Sequence, residues 1–301
     1  MLIALCTDEK YAIPCAACIT SIFETNATVS LEVAILANHL KAKTAAKFEQ
    51  IAQKYNRTIS IRDIHEGTFK NLTTSKRFPE ANYYRLLLPD LFPQHNTILY
   101  LDCDTIVADS LTDLFETDIN GYACACVEDQ ASDDIRHHNR IGVKTTYFNA
   151  GVMLINANYW RENHVGAQCI DFIQRNPAKC LYPDQDALNV VLSGTVKYLP
   201  YRWNFQELMM CNDPRRLMLA KEKWADIDRA KKNPAIIHYT SSIKPWHIGC
   251  KHPLVHKFWD TIKLTPWPNF TPQWNKLPKV IFDYLKQFAR KSGDPSTPPP
   301  L

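Results

Sequence analysis

Two aspartates one residue apart, Asp102 and Asp104, follow the apolar run Ile98-Leu99-Tyr100-Leu101. Such a run reads as a buried strand of a parallel sheet. Alternation along an extended chain predicts that the two carboxylates point the same way. Held together without a partner, they repel each other and resist ionisation. A hard divalent cation, Mg²⁺ or Mn²⁺, removes that conflict and can hold a diphosphate as well. In open α/β sheets ligands bind beyond the carboxyl ends of strands, where this pair falls. The competing reading is that Asp-x-Asp at a strand end is a turn or a helix cap, so the cation depends on what else the chain brings there.

Further polar residues stand at the ends of apolar runs. Ala123–Val127 runs into Glu128 and Asp129, and Asn149 and Gly151 directly precede the run Val152–Ile155. Gly151 permits close backbone approach; Asn149 either bonds a sugar hydroxyl or closes a turn. Asp184-Gln185-Asp186 opens a helix after Pro183, with Asp184 as the expected N-cap and more acceptors than a cap needs. His238 ends the strand Pro234–Tyr239, and Lys244 follows six residues later. An imidazole and an ammonium so placed suit a metal and a phosphate. Near the start, Asp8 and Tyr11 either meet a nucleotide base or cap and pack a helix. Arg85 either pairs with an acid or holds a carboxylate or phosphate.

The elements that must carry these residues follow from periodicity. Leu2–Cys6, Leu31–Leu36 and Thr58–Ile64 read as strands, and Pro14–Glu24 and Lys41–Tyr55 as helices. This β-α-β-α-β order is that of a doubly wound parallel sheet. Arg77–Leu88 and Asp109–Phe115 are expected to be helical, the second capped by Asp109. No GxGxxG follows the first strand, so a dinucleotide fingerprint is absent. The short apolar N-terminus reads as a strand and not as a signal peptide.

The chain has 301 residues, 46% hydrophobic and 22% charged, an ordinary globular composition. No apolar run reaches the roughly 18 residues of a membrane span. The ten cysteines include one redox-like spacing, Cys15-x-x-Cys18, read as helix packing. No second CxxC completes a zinc set, and the rest suit a reducing setting. The net charge of +4 is matched by Lys276, Lys279, Lys286, Arg290 and Lys291 against Asp283 alone. The remainder is formally neutral, which argues against a nucleic-acid-binding core. Leu277, Ile281, Tyr284, Leu285 and Phe288 fall on one face of a helix whose other face is basic. That profile fits either an anionic membrane surface or packing on the chain's own domain. The expected division is a catalytic domain over residues 1–262, then a Pro/Trp-rich wrap, the basic helix and a disordered tail over 263–301.

Taken in order, Thr7-Asp8-Glu9-Lys10-Tyr11, Tyr84-Arg85, Leu99-Tyr100-Leu101-Asp102-Cys103-Asp104, Phe148-Asn149-Ala150-Gly151-Val152, Asp184-Gln185-Asp186, His238-Tyr239 and Lys244-Pro245-Trp246 resemble glycosyltransferase family 8. The likeness is greatest to its bacterial lipopolysaccharide galactosyl- and glucosyltransferases and runs to about residue 260. It implies a GT-A fold: α/β, a mostly parallel central sheet flanked by helices, here with a small C-terminal helical appendage. It implies Mn²⁺ held by Asp102, Asp104 and His238, uracil held by Asp8 and Tyr11, backbone of Cys103 near the ribose, and Lys244 on the diphosphate. Cys6, Thr7, Lys10, Ala150 and Ser241 would line the same UDP-sugar site. Arg85, Asn149, Asp184 and Gln185 would surround the donor sugar, with one of Glu128 and Asp129 beside them. Lys10 and Ser241 depart from the galactosyltransferase pattern, which has an amide and a glycine there.

The resemblance implies a retaining transfer of glucose or galactose from UDP-glucose or UDP-galactose to a lipopolysaccharide-type glycan. It places the protein in the cytoplasm, peripheral on the inner face of the bacterial inner membrane. A retaining hydrolase uses a carboxylate nucleophile beneath the sugar; Gln185 occupies the corresponding position and is a poor nucleophile, which favours a same-face displacement. A nucleotidyltransferase would need a Gly- and Arg-rich triphosphate loop that Thr7–Ala12 lacks. A non-catalytic UDP-sugar-binding protein would have no need of the full set Asp102, Asp104, His238 and Lys244.

Overall fold

A computed structural model of the chain describes residues 1–65, 67–72, 79–210 and 217–273. The basic amphipathic helix and the tail expected beyond Lys276 lie outside these residues, as does Arg77.

The strands are β1 (Leu2–Thr7), β2 (Glu32–Ala37), β3 (Thr58–Asp63), β4 (Thr97–Leu101), β5 (Thr105–Val107), β6 (Cys124–Glu128), β7 (Phe148–Asn156), β8 (Val196–Tyr198), β9 (Phe205–Gln206) and β10 (Ile236–His238). Seven form one sheet in the order β3-β2-β1-β4-β7-β6-β8. Its neighbours are parallel except where β7 pairs antiparallel with β4 and β6. The fold is therefore α/β with a mostly parallel sheet, as expected. The first helices, α1 (Ala12–Thr25) and α2 (Ala42–Tyr55), fall where the periodicity put them. α1 begins two residues before the expected Pro14, which its first turn accommodates because the missing N–H is unpaired there anyway.

Both faces of the sheet are covered, which explains the unbroken apolar runs. Ile3, Leu5, Val33, Ile35, Leu99 and Leu101 pack against Cys15, Cys18, Ile19 and Ile22 of α1 and Phe48 and Ile51 of α2. Leu2, Ala4, Ala34, Leu36, Ile98 and Tyr100 pack on the other face with Tyr83, Tyr84, Trp160 and Leu188. Cys15 and Cys18 are fully buried and unpaired, so that CxxC is helix packing.

The strand ending in His238, β10, lies between β5 and β9 in a second, three-stranded sheet. Three sequence expectations change. Asp102 and Asp104 are not on a strand, because β4 stops at Leu101 and β5 starts at Thr105. A tight turn, closed by Thr105 Oγ1 on the Asp102 carbonyl at 2.9 Å, brings the two acids together instead of strand alternation. Residues Glu80–Leu87 form a 3₁₀ helix continued by a short α-helix, Leu88–Leu91. Asp109 does not cap the next helix, which runs Thr112–Phe115 after Leu111; its carboxylate bonds the Ser110 N–H and the Arg202 guanidinium.

Beyond the helix Val255–Ile262, Trp267 rests edge-on against Phe48 at 5.9 Å and under the Lys47 ammonium at 4.5 Å. Farther along, Phe270 stacks on Trp259 at 5.9 Å and the Gln273 N–H donates to the Trp246 carbonyl at 2.8 Å. Among the described residues no helix is long and apolar enough to cross a membrane.

Candidate active site

The reversed direction of β7 assembles the site. Because it runs against its neighbours, its first residues, Phe148 to Gly151, lie beside the carboxyl ends of β4 and β6. The Asp102 N–H donates to the Gly151 carbonyl at 2.8 Å. Polar residues that precede an apolar strand in sequence thereby land on the ligand side of the sheet.

Asp102, Asp104 and His238 offer one ligand atom each, all within 4.8 Å of one another. His238 Nε2 lies 3.2 Å from Asp104 Oδ1 and 3.7 Å from Asp102 Oδ2. Its Nδ1 faces Asn204 Oδ1 at 2.9 Å. Two carboxylates and one imidazole suit Mn²⁺ and, less well, Mg²⁺. Gly151 is required here: a methyl on it would overlap the His238 ring and sit 2.6 Å from Asp102 Oδ2. Lys244 Nζ donates to Asp104 Oδ2 at 2.5 Å and to the Tyr239 carbonyl at 2.7 Å. Burial opposes charge on Asp104, but the Lys244 ammonium and the His238 ring more than offset it. They hold its carboxyl well below the usual range.

Arg85 joins this corner to the next. Buried over the Tyr100 ring, it donates from Nη2 to Asp102 Oδ1 at 2.8 Å and from Nη1 to the Ala150 carbonyl at 2.7 Å. Its Nε lies 3.2 Å from Asp184 Oδ2. Arg85 thus pairs with acids, and one of them, Asp102, belongs to the candidate metal cluster. Tyr100 Oη also donates to Asp102 Oδ1, at 2.6 Å. Burial raises the pKa of Asp184, with Arg85 opposing that rise.

The run Asp184-Gln185-Asp186 divides its labour. The helix is Pro183–Val191, so Asp184 lies inside the first turn and does not cap it. Asp186 supplies the capping: its Oδ2 accepts from the N–H groups of Leu181 and Tyr182 at 2.8 and 3.0 Å. Its Oδ1 is held by His137 Nε2 at 2.7 Å and Tyr147 Oη at 2.5 Å. Gln185 faces the site: Oε1 accepts from the Ala150 N–H at 2.9 Å, and Nε2 donates to Asp129 Oδ2 at 3.3 Å. Asn149 Nδ2 donates to the same Asp129 oxygen at 2.9 Å.

Glu128 and Asp129 part company. The pairing of β6 with β7 slips between Cys126 and Val127, and such an irregularity re-aims the side chains that follow. Asp129 turns to Asn149 and Gln185, whereas Glu128 bonds Tyr201 Oη at 2.7 Å and Lys223 Nζ at 2.5 Å. Glu128 is not gathered with the other candidates.

At the other end, Cys6 and Thr7 finish β1, and Cys103 Sγ contacts the Cys6 carbonyl at 3.2 Å. Asp8 Oδ1 accepts from the Tyr11 N–H at 2.8 Å in the turn before α1; Tyr11, not Asp8, holds the N-cap position of that helix. Tyr11 stands edge-on to Trp246 at 5.5 Å. Burial pushes its phenol up, helped by Asp104, Cys103, Asp8 and Asp102. Lys10 is exposed. The Ser241 N–H donates to Glu207 Oε2 at 3.2 Å, in the loop after β10.

Sequence reasoning missed Asn204 and the role of Tyr100. Asn204 is fully buried in Tyr201-Arg202-Trp203-Asn204-Phe205, and a lone amide inside so aromatic a run was the available signal.

A family model described as "Glycosyl transferase family 8" matches residues 2–250. "General stress protein A" of Bacillus subtilis (strain 168) is 28% identical over 275 residues, covering 89% of this chain and 94% of that protein. "Lipopolysaccharide 1,2-glucosyltransferase" of Escherichia coli is 28% identical over 268 residues, covering 87% and 78%. The crystal structure of galactosyltransferase LgtC with donor and acceptor sugar analogs has a TM-score of 0.79 at 24% identity, covering 88% of this chain and 96% of that one. At that identity the likeness is one of fold.

Proposed function

The chain belongs to glycosyl transferase family 8, and on that premise we propose that it is a metal-dependent, retaining hexosyltransferase. It moves glucose or galactose from a UDP-sugar to a sugar hydroxyl of a lipopolysaccharide-type glycan, at the inner face of a bacterial inner membrane. The observation that carries this reading is the meeting of Asp102, Asp104 and His238 with Lys244 beside Asp184, Gln185 and Asp129. The relative that acts on lipopolysaccharide supports the acceptor class.

The donor set fits Mn²⁺; bound there, the ion supplies Lewis-acid stabilisation of negative charge on a departing diphosphate. Lys244 adds a second positive centre at the same corner. Asp8 and Tyr11, with Cys6, Thr7, Lys10 and Cys103, form the nucleotide end. Ser241 belongs to the diphosphate loop, and Ala150 and Asn149 form the edge against which the sugar lies. Asp184 and Asp129 supply acceptors for sugar hydroxyls and negative charge for an oxocarbenium-like carbon. Arg85 fixes Asp184 and Asp102 relative to each other, so the sugar and diphosphate ends keep one spacing.

Gln185 is a neutral amide with its oxygen on the Ala150 N–H and its nitrogen on Asp129, so it provides no nucleophile. The bond from the anomeric carbon to the UDP oxygen breaks as the bond to the acceptor oxygen forms on the same face. The acceptor's proton passes to the departing phosphate oxygen. The test is a mass-spectrometric screen of UDP-sugars with Mn²⁺. UDP release is expected with UDP-glucose or UDP-galactose, reduced at least about 100-fold in Asp102→Asn. Near-full activity in that variant refutes the metal assignment, and a glycosyl adduct trapped on Asp184 or Gln185 refutes the same-face step.

A further inference from the structure

We propose that Asn204 is a positioning residue that fixes the tautomer of His238 and ties the metal corner to the sugar side. The proposal rests on the reading that Asp102, Asp104 and His238 hold a cation. Its own content concerns Asn204, which no ligand assignment has used, and the buried row of side chains it completes.

The row begins at Asp129. Asn149 Nδ2 donates to Asp129 Oδ2 at 2.9 Å, and Asn149 Oδ1 accepts from Asn204 Nδ2 at 2.8 Å. Asn204 Oδ1 then faces His238 Nδ1 at 2.9 Å. Asn204 is fully buried, and His238, Asn149 and Asp129 are 3%, 7% and 8% exposed, so water offers little competition.

The direction of these bonds is not a matter of choice. Amide ends look alike, and their orientation must come from neighbours whose role is fixed. Here two such neighbours exist. The Gly151 backbone N–H, which can only donate, points at Asn149 Oδ1 from 3.0 Å. At the far side of the same amide stands Asp129, whose ionised carboxylate can only accept. Asn149 is therefore pinned with oxygen toward Asn204, so the Asn204 atom facing it must be the donating nitrogen. Its oxygen is left for His238, and only a protonated Nδ1 can satisfy it. With a cation held by Asp102 and Asp104, the Nε2 lone pair is thereby left for that ion, the form a metal-binding imidazole needs. A partner on the second ring nitrogen is the usual way proteins orient such a ligand. Here the row continues past that partner to Asp129, which Gln185 also touches.

The conservative variants separate the two ends. Asn204→Asp keeps an acceptor for His238, now a carboxylate, and puts an oxygen against Asn149 Oδ1, so only the sugar side loses a hydrogen bond. Asn204→Ala removes both contacts. In metal-free wild-type protein, above the imidazole titration range, long-range ¹H–¹⁵N spectra are expected to show His238 protonated on Nδ1. Electron paramagnetic resonance titration of Mn²⁺ in the presence of UDP is expected to show wild-type affinity in Asn204→Asp and about 10- to 100-fold weaker binding in Asn204→Ala. With the UDP-sugar donor, kcat falls in both variants, while UDP affinity falls only in Asn204→Ala. The proposal is overturned if wild-type His238 carries its proton on Nε2. It is also overturned if folded Asn204→Ala binds Mn²⁺ as tightly as wild type, or if Asn204→Asp weakens Mn²⁺ as much as Asn204→Ala. If wild type binds no Mn²⁺, the metal reading fails, and the His238 spectrum alone still decides whether Asn204 sets the tautomer.

Discussion

Asp129 and Glu128 are adjacent acids with different surroundings, and their substitution should separate them. Asp129 accepts from both Asn149 and Gln185, so Asp129→Asn removes the charge at the sugar side and is expected to lower kcat at least about 100-fold. Glu128 is held by Tyr201 and Lys223. Glu128→Gln is expected to lower stability by about 1–3 kcal/mol and to leave the turnover of folded protein within a few-fold of wild type. Steady-state kinetics beside urea denaturation measures both, and the reverse ranking would place Glu128 in the site.

His252 offers a pH prediction of a different kind. Its Nδ1 accepts the Leu254 N–H at 3.1 Å, its ring meets Tyr239 edge-on at 4.7 Å, and its buried Nε2 has no hydrogen-bond partner. Burial lowers its pKa from 6.5 to about 4. Between those values the unfolded chain binds a proton that the folded protein refuses. Stability is therefore full above the unfolded pKa and falls as the pH drops toward the folded one. The loss expected over that window is about 2–3 kcal/mol. His252→Asn, which keeps an acceptor for Leu254, should lose this part of the acid sensitivity; parallel stability profiles for the two proteins would contradict it.

At the scale of elements, β7 decides most. Its reversal puts Asn149 and Gly151 at the ligand edge, and its slipped pairing with β6 chooses Asp129 over Glu128. Gly151 is where these demands meet, because His238 and Asp102 occupy the space its side chain would take. Gly151→Ala is expected to cost about 1–3 kcal/mol of stability and to abolish Mn²⁺-dependent UDP binding by calorimetry. Retained binding would mean that the His238 ring has room to move. The short turn between β4 and β5 matters in the same way, since it and not a strand pairs the two acids.

Across the whole molecule, the sheet is sealed on both faces, and the functional groups collect along one edge and the loop after β10. The formal positive excess falls in Lys276–Lys291, outside the described residues. We expect removal of residues 276–301 to lower binding to anionic vesicles in a sedimentation assay while leaving UDP release in solution intact. Unchanged vesicle binding would end the membrane reading of that stretch. Each Lys or Arg near an anionic surface contributes about 1 kcal/mol, so salt should also erase the binding.

What the sequence determined by itself was the alternation of strands and helices in the first half, the acid pair after β4, and the family to which the motifs belong. Apolar period and the order of short motifs are local properties, and the chain carries them whether folded or not. The tertiary structure alone decided the direction of β7, the placement of β10 in a second sheet, and which acid of each neighbouring pair faces the site. Asp184 and Asp186 show why. Both are acids in one helical turn, and composition cannot tell them apart; Arg85 meets one and His137 with Tyr147 meets the other. Asn204 shows it again, because its meaning lies in partners 34 and 55 residues away in sequence. Hydrogen-bond direction is set by such distant neighbours, and no window of sequence contains them.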